Sequence, residues 1–193
     1  MDIVVKGQPQ FLFSVADACS LPDHDYNEVA FFGASNVGKS SIINAVCNQK
    51  NLAKTSKTPG RTQLLNFFTF PPGSIIVDVP GYGFADIPDE ARRHWQRLLV
   101  GYLESRSARL HAYLLLDSRR FIRPNDMDLI RIFQQYEISF TFVMTKVDKL
   151  NKTEQKELKE KIAEQFGNSC DVVITSVKDR IGIDELKQSI YRP

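Results

Sequence analysis

Gly33-Ala34-Ser35-Asn36-Val37-Gly38-Lys39-Ser40 is the stretch that decides how this chain folds. It fits G-x-x-x-x-G-K-[ST], a loop whose backbone N–H groups wrap a diphosphate. An apolar run, Val29–Phe32, leads into it and reads as a buried strand. Ser40–Cys47, with Ile42, Ile43, Ala45 and Val46, reads as the helix that the loop opens. Gly33 and Gly38 allow a backbone that aims several N–H groups inward, and the helix start adds the positive end of its dipole. Lys39 then reaches the β- and γ-phosphates, and the Ser40 hydroxyl suits Mg²⁺.

Three downstream stretches narrow the nucleotide. Ser74–Val79 reads as an apolar strand that carries Asp78 near its end, where a carboxylate can hold Mg²⁺ directly or through water. Gly81, three residues on, brings a backbone N–H towards a γ-phosphate with no side chain in the way. Thr145-Lys146-Val147-Asp148 carries a Lys-x-Asp signature. An ionised aspartate only accepts hydrogen bonds, and guanine offers two donors on one edge, whereas adenine offers an acceptor and nothing. Lys146 is expected to lay its stem over the base, and Ser176, after a strand at Val172–Thr175, to present its N–H to guanine O6. A hydroxyl that arrives only with the γ-phosphate is expected from the loop 49–63. Thr62 is the leading candidate, with Thr55, Ser56 and Thr58 as competitors.

The rest of the chain alternates. Leu64–Phe70 and Ser74–Val79 read as a hairpin across Pro71-Pro72-Gly73, and Leu110–Leu116 and Ile138–Met144 as further buried strands. Helices are expected over Glu90–Ser105, Asn125–Tyr136, Lys152–Phe166 and Ile183–Ile190. Repeated crossovers imply an α/β fold: a mostly parallel sheet of about six strands with helices on both faces. Gln10–Val15 either adds a strand or packs along the rim. At 193 residues, 42% hydrophobic and 25% charged, the chain suits one soluble domain. No apolar run approaches a membrane span, and Met1–Lys6 lacks the pattern of a leader. Three scattered cysteines, Cys19, Cys47 and Cys170, fit reduced thiols and a cytoplasmic location. Net charge is +2 but uneven: residues 91–123 hold eight arginines against Glu104 and Asp117. Such asymmetry permits a nucleic-acid partner.

These motifs carry a resemblance. Gly-x-Ser-Asn-Val-Gly-Lys-Ser-Ser at 33–41, Lys57-Thr58-Pro59-Gly60-Arg61-Thr62-Gln63 running into Leu64, and Asp78-Val79-Pro80-Gly81-Tyr82-Gly83-Phe84-Ala85 resemble the EngB family of bacterial GTPases. That family sits among the TrmE-Era-EngA-EngB-septin-like P-loop proteins. Thr145–Asp148 and Thr175-Ser176 also match. The resemblance implies a Ras-like GTPase domain over 27–193 behind an N-terminal extension, 1–26. It also implies Mg²⁺ on Ser40 and Thr62, with Asp78 acting through water. The nucleotide would be held by Gly33–Ser41 (Ala34, Ser35, Asn36, Val37 and Ser41 included), by Gly60, Arg61, Thr62, Gln63 and Leu64, and by Asp78, Val79, Pro80 and Gly81. Thr145, Lys146, Val147 and Asp148, with Thr175, Ser176 and Val177, complete the set. It implies GTP hydrolysis by a monomer that acts on the large ribosomal subunit or its rRNA, and a part in normal division septum formation. Ala34 departs from the pattern, standing where the family commonly carries Arg.

Catalysis is the least defined part. In the Ras-like pattern a glutamine follows Asp-x-x-Gly and orients the attacking water; here Tyr82 stands there. Slow intrinsic turnover is therefore expected, helped by a partner or by a cation. Lys39 and Asn36 are the catalytic candidates, and Asn36 resembles the residue that lets related GTPases hold K⁺. Arg92, Arg93 and Arg97, around His94 and Trp95, with Arg106, Arg109, Arg119, Arg120 and Arg123, are either a solvated face or a surface for RNA phosphates. Trp95 is either core packing or a stacking platform. Two rival functions stay open: a nucleotide-gated RNA scaffold with negligible hydrolysis, and a structural GTPase of the septum.

Overall fold

The computed structural model describes residues 3, 5–54, 64–82, 88–120, 122–167 and 170–191. Seven strands form one sheet: β1 (Phe11–Val15), β2 (Asn27–Gly33), β3 (Leu65–Phe70), β4 (Ser74–Asp78), β5 (Leu110–Asp117), β6 (Ser139–Thr145) and β7 (Val172–Ile174). The helices are α1 (Lys39–Val46), α2 (Asp89–Arg106), α3 (Pro124–Gln135), α4 (Lys152–Phe166) and α5 (Ile183–Ile190). Spatial order is β1-β3-β4-β2-β5-β6-β7. The five strands from β4 to β7 pair in parallel, whereas β3 runs antiparallel to both β4 and β1.

The expected strands and helices form, and the sheet has one strand more than the expected six. The addition is β1. It pairs with β3 from Phe11↔Phe68 to Val15↔Leu65, and Phe13 stacks on Phe67 with ring centroids 4.8 Å apart. Of its five residues only Val15 is buried, and the partner strand lies some fifty residues away, so local periodicity carries little of the signal.

Burial on both faces explains the apolar runs of the central strands. Ala30 and Phe32 point to one face, where Leu99 and Leu103 of α2, Leu129 and Phe133 of α3, and Leu158 and Ile162 of α4 pack. Val29 and Phe31 point to the other, against Ile42 and Val46 of α1 and Leu186 and Ile190 of α5. Fully burying such a side chain is worth about 1.5–3 kcal/mol, so these two layers fix each helix to its face. Local signals set the ends. Asn151 caps α4 by accepting from Glu154 N at 3.0 Å, and Glu154 returns a bond to Asn151 N at 2.7 Å. Cys19, Cys47 and Cys170 carry free thiols, and burial pushes that of Cys47 up to about 12. No helix among the described residues is long and apolar enough to cross a membrane.

Trp95 is half-buried against the α2–α3–α4 layer, which makes it packing rather than a platform. The eight arginines do not share a surface. Arg106 is buried, with its guanidinium on Glu28, and Arg109 stands beside it at the start of β5. Arg119, Arg120 and Arg123 follow the far end of that strand, roughly 25 Å away at ~3.3 Å per residue.

Candidate functional site

The motifs meet along one rim, at the C-terminal ends of β2, β4, β6 and β7, where open parallel sheets bind their ligands. Gly38 caps α1 with φ of 107°, a backbone that a side chain rarely adopts, and this turn directs Lys39 and Ser40 into the first helical turn. Asn36 is also left-handed, with φ of 62°. Val37 turns inward, and Thr145 Oγ1 donates to its carbonyl at 2.8 Å, locking the loop onto the end of β6. Ser40 and Ser41 are half-buried on α1.

Asp78 closes β4, and its carboxylate pairs with the Lys39 ammonium; both side chains are nearly buried. Val79 N donates to Phe31 O at 3.2 Å, and the chain then turns through Pro80 to Gly81. A Cβ on Gly81 would lie 3.2 Å from both Ser35 Cα and Ser35 N, so this segment sits against the phosphate loop. Tyr82 completes the contact. Its carbonyl accepts from Ser35 N at 3.0 Å, and Ala34 bridges to it in parallel register. The Tyr82 hydroxyl donates to Asp126 Oδ1 at 2.5 Å, and burial first, then Asp126, raises its pKa far above the ordinary tyrosine range.

Two strands away, Lys146 is left-handed, with φ of 61°, and its ammonium reaches back to Asn36 O at 2.8 Å and to Asp117 at 2.9 Å. This one side chain ties the Lys-x-Asp turn to the phosphate loop. Asp148 accepts from Ser176 Oγ at 2.9 Å and pairs with Lys149 at 3.3 Å. The Ser176 hydroxyl, then Lys149, hold its carboxyl below the ordinary carboxylate range, so it stays an acceptor. Val147 is buried, and its N–H meets Thr175 O at 3.2 Å. Thr175 itself bonds Met144 O through both its N–H and its hydroxyl.

The Ser176 N–H does not face outward as expected: it donates to Ile181 O at 3.0 Å. Ser176 acts through its hydroxyl on Asp148 instead. The next N–H, that of the exposed Val177, has no partner among the described residues. Gly60, Arg61, Thr62 and Gln63 lie outside the described residues, as do Gly83, Phe84 and Ala85; Leu64 is described and half-buried. Sequence reasoning missed Asp117, counting it only as an acid. It accepts two bonds from the Arg119 guanidinium, at 2.9 and 2.7 Å, while holding Lys146, and these cations depress its pKa well below the usual range. Its position at the end of β5, beside the rim, was the available signal.

No cluster of three or more His, Cys, Asp or Glu able to hold a metal occurs among the described residues. The donors that the rim does offer, the Ser40 hydroxyl and the Asp78 carboxylate, are hard oxygens, and they suit a Mg²⁺ that keeps waters and substrate phosphates as its other ligands.

A phosphate-type loop joined by one lysine to a Lys-x-Asp turn, on a sheet of this order, belongs to a known class: the chain is a P-loop GTPase. The family described as 50S ribosome-binding GTPase matches residues 28–146. The probable GTP-binding protein EngB of Rhodospirillum rubrum is 41% identical over 189 residues, spanning 93% of this chain and 82% of that protein. Its counterpart in Rickettsia felis is 40% identical over 191 residues, spanning 97% and 89%. The chain belongs to the EngB family of GTP-binding proteins. A crystal structure of a probable GTP-binding protein engB shares the fold, with a TM-score of 0.70 at 24% identity over 86% of this chain and 97% of that one.

Proposed function

We propose that this GTPase uses Mg²⁺–GTP to gate its association with an assembling large ribosomal subunit in the cytoplasm, and that septation depends on that step. The carrying observation is the Lys146 bridge, which makes base reading and phosphate binding one rigid unit. The description of the matching family as ribosome-binding supports the partner. Arriving phosphates would take Lys39 from Asp78, and Mg²⁺ would be held by the Ser40 and Thr62 hydroxyls with Asp78 acting through water. Val177 and Asp148 read the base. Sedimentation of the protein with large subunits should rise in a non-hydrolysable GTP analogue relative to GDP. Equal sedimentation in both would remove the gating.

Tyr82 favours a second reading, in which hydrolysis is negligible and the protein is a nucleotide-gated scaffold. Its hydroxyl is committed to Asp126 rather than left to orient water. Single-turnover hydrolysis with and without large subunits separates the two: acceleration by the subunit supports the enzyme, and none supports the scaffold.

The same assay tests the ions. In Mg²⁺, replacing Na⁺ with K⁺ at constant ionic strength should raise turnover, and Asn36→Ala should abolish that rise if Asn36 holds K⁺. Ser40→Ala should weaken Mg–GDP and Mg–GTP alike, whereas Thr62→Ala should spare GDP. A rate indifferent to the cation would leave Asn36 as a plain turn residue, and equal damage to GDP binding in Thr62→Ala would remove that hydroxyl from the switch.

A further inference from the structure

Beside the phosphate loop lies an open cleft of about 220 Å³, floored by Ala34, Ser35 and Asn36 and walled by Arg119, Arg120 and Arg123. Its two acids are already engaged. Asp117 holds Lys146 and Arg119, while Asp126 accepts from the Tyr82 hydroxyl through Oδ1 and from Arg123 N, at 2.8 Å, through Oδ2. Arg120 and Arg123 are exposed and have no carboxylate partner among the described residues. Among the described residues, the lining sets four cations, Arg119, Arg120, Arg123 and Lys146, against these two acids.

Its size and chemistry select the occupant. Pockets for whole small molecules run to roughly 300–1,000 Å³, so this one suits a group projecting from a larger partner. Guanidinium forks match phosphate oxygens. Resting on the ribosomal reading above, we infer that this cleft binds a phosphodiester segment of rRNA, and that the Tyr82–Asp126 hydrogen bond transmits the nucleotide state to it. Asp126 makes the link. One oxygen holds Tyr82, the residue after Gly81 whose carbonyl rests on Ser35, and the other fixes the backbone of Arg123 on the cleft wall. A shift of Tyr82 on GTP binding pulls on the same carboxylate that positions the arginine.

The test compares wild type, Arg120→Ala/Arg123→Ala and Tyr82→Phe for binding to large subunits and to protein-free large-subunit rRNA, in GTP analogue and in GDP, over a salt series. The double variant should bind more weakly in both nucleotide states, with its log–log salt slope reduced by about two, one unit per lost phosphate contact. Tyr82→Phe should bring the ratio of affinities in GTP and GDP close to one. An unchanged salt slope in the double variant, or binding to subunits with none to the free rRNA, overturns the cleft as an RNA site and leaves the ribosomal reading standing. A full nucleotide ratio in Tyr82→Phe overturns the relay. Failure of the wild type to bind subunits in either state overturns the ribosomal reading itself.

Discussion

Asp148→Asn is expected to lower GTP affinity on the order of 10⁴-fold and to raise affinity for xanthosine triphosphate, because a site built on buried hydrogen bonds rejects an analogue that leaves them unpaired. Guanine presents two donors, and only a group that accepts at both oxygens satisfies them. The surroundings of Asp148 keep it in that form: the Ser176 hydroxyl and Lys149 both favour the ionised carboxylate. An amide accepts with one atom and turns its NH₂ towards the second donor. Xanthine carries a carbonyl in place of the 2-amino group, and that NH₂ meets it. Asparagine at 148 still accepts from Ser176 Oγ, so the turn survives and the change is confined to the base. Competition binding with GTP, XTP and ATP on both proteins reads the result. A variant that keeps its preference for GTP would reopen the assignment of the base reader.

That turn was legible in the sequence because its parts are contiguous. Thr145–Asp148 sits at a strand end, and a hydrophobic run followed by a Lys-x-Asp turn shows within a dozen residues. The same holds for β2, its loop and α1, and for α4, whose start is written in Asn151 and Glu154. What escaped is what distant chain segments decide. The Ser176 N–H is taken by Ile181 O, a bond made by a turn whose closure has no signature in the residue types. Asp117 acquires its role from Lys146, which approaches from the next strand. Tyr82 was read for the glutamine that it replaces, whereas the structure defines it by Asp126, on α3. Arg106 was one of eight arginines in a basic stretch, a label that does not survive the fold.

Glu28 is fully buried at the start of β2, the end of the sheet away from the nucleotide rim. Tyr102 Oη donates to its Oε2 at 2.6 Å, while Arg106 Nε and His24 Nε2 each lie 2.9 Å from Oε1, close but outside hydrogen-bond alignment. The Arg106 guanidinium also donates to Pro22 O, so α2 is moored at its last turn to both β2 and the segment before it. Arg106→Met should therefore cost about 3–5 kcal/mol, because it strands a buried carboxylate. Domains are typically stable by only about 5–15 kcal/mol, so the loss is a large share of the whole. Replacing three of its members together, as Glu28→Met/Tyr102→Phe/Arg106→Met, should recover part of it, with His24 left beside an apolar side chain. The triple variant removes the charge, its partner and the hydroxyl that would otherwise be left without an acceptor. Urea unfolding of wild type, single and triple variants measures both effects, and their difference is the coupling that single substitutions hide. GTP affinity below the unfolding transition should stay at the wild-type level, since none of the three residues touches the rim. A single variant within about 1 kcal/mol of wild type would show that water or a shifted side chain compensates Glu28, and that α2 is held by its apolar face alone.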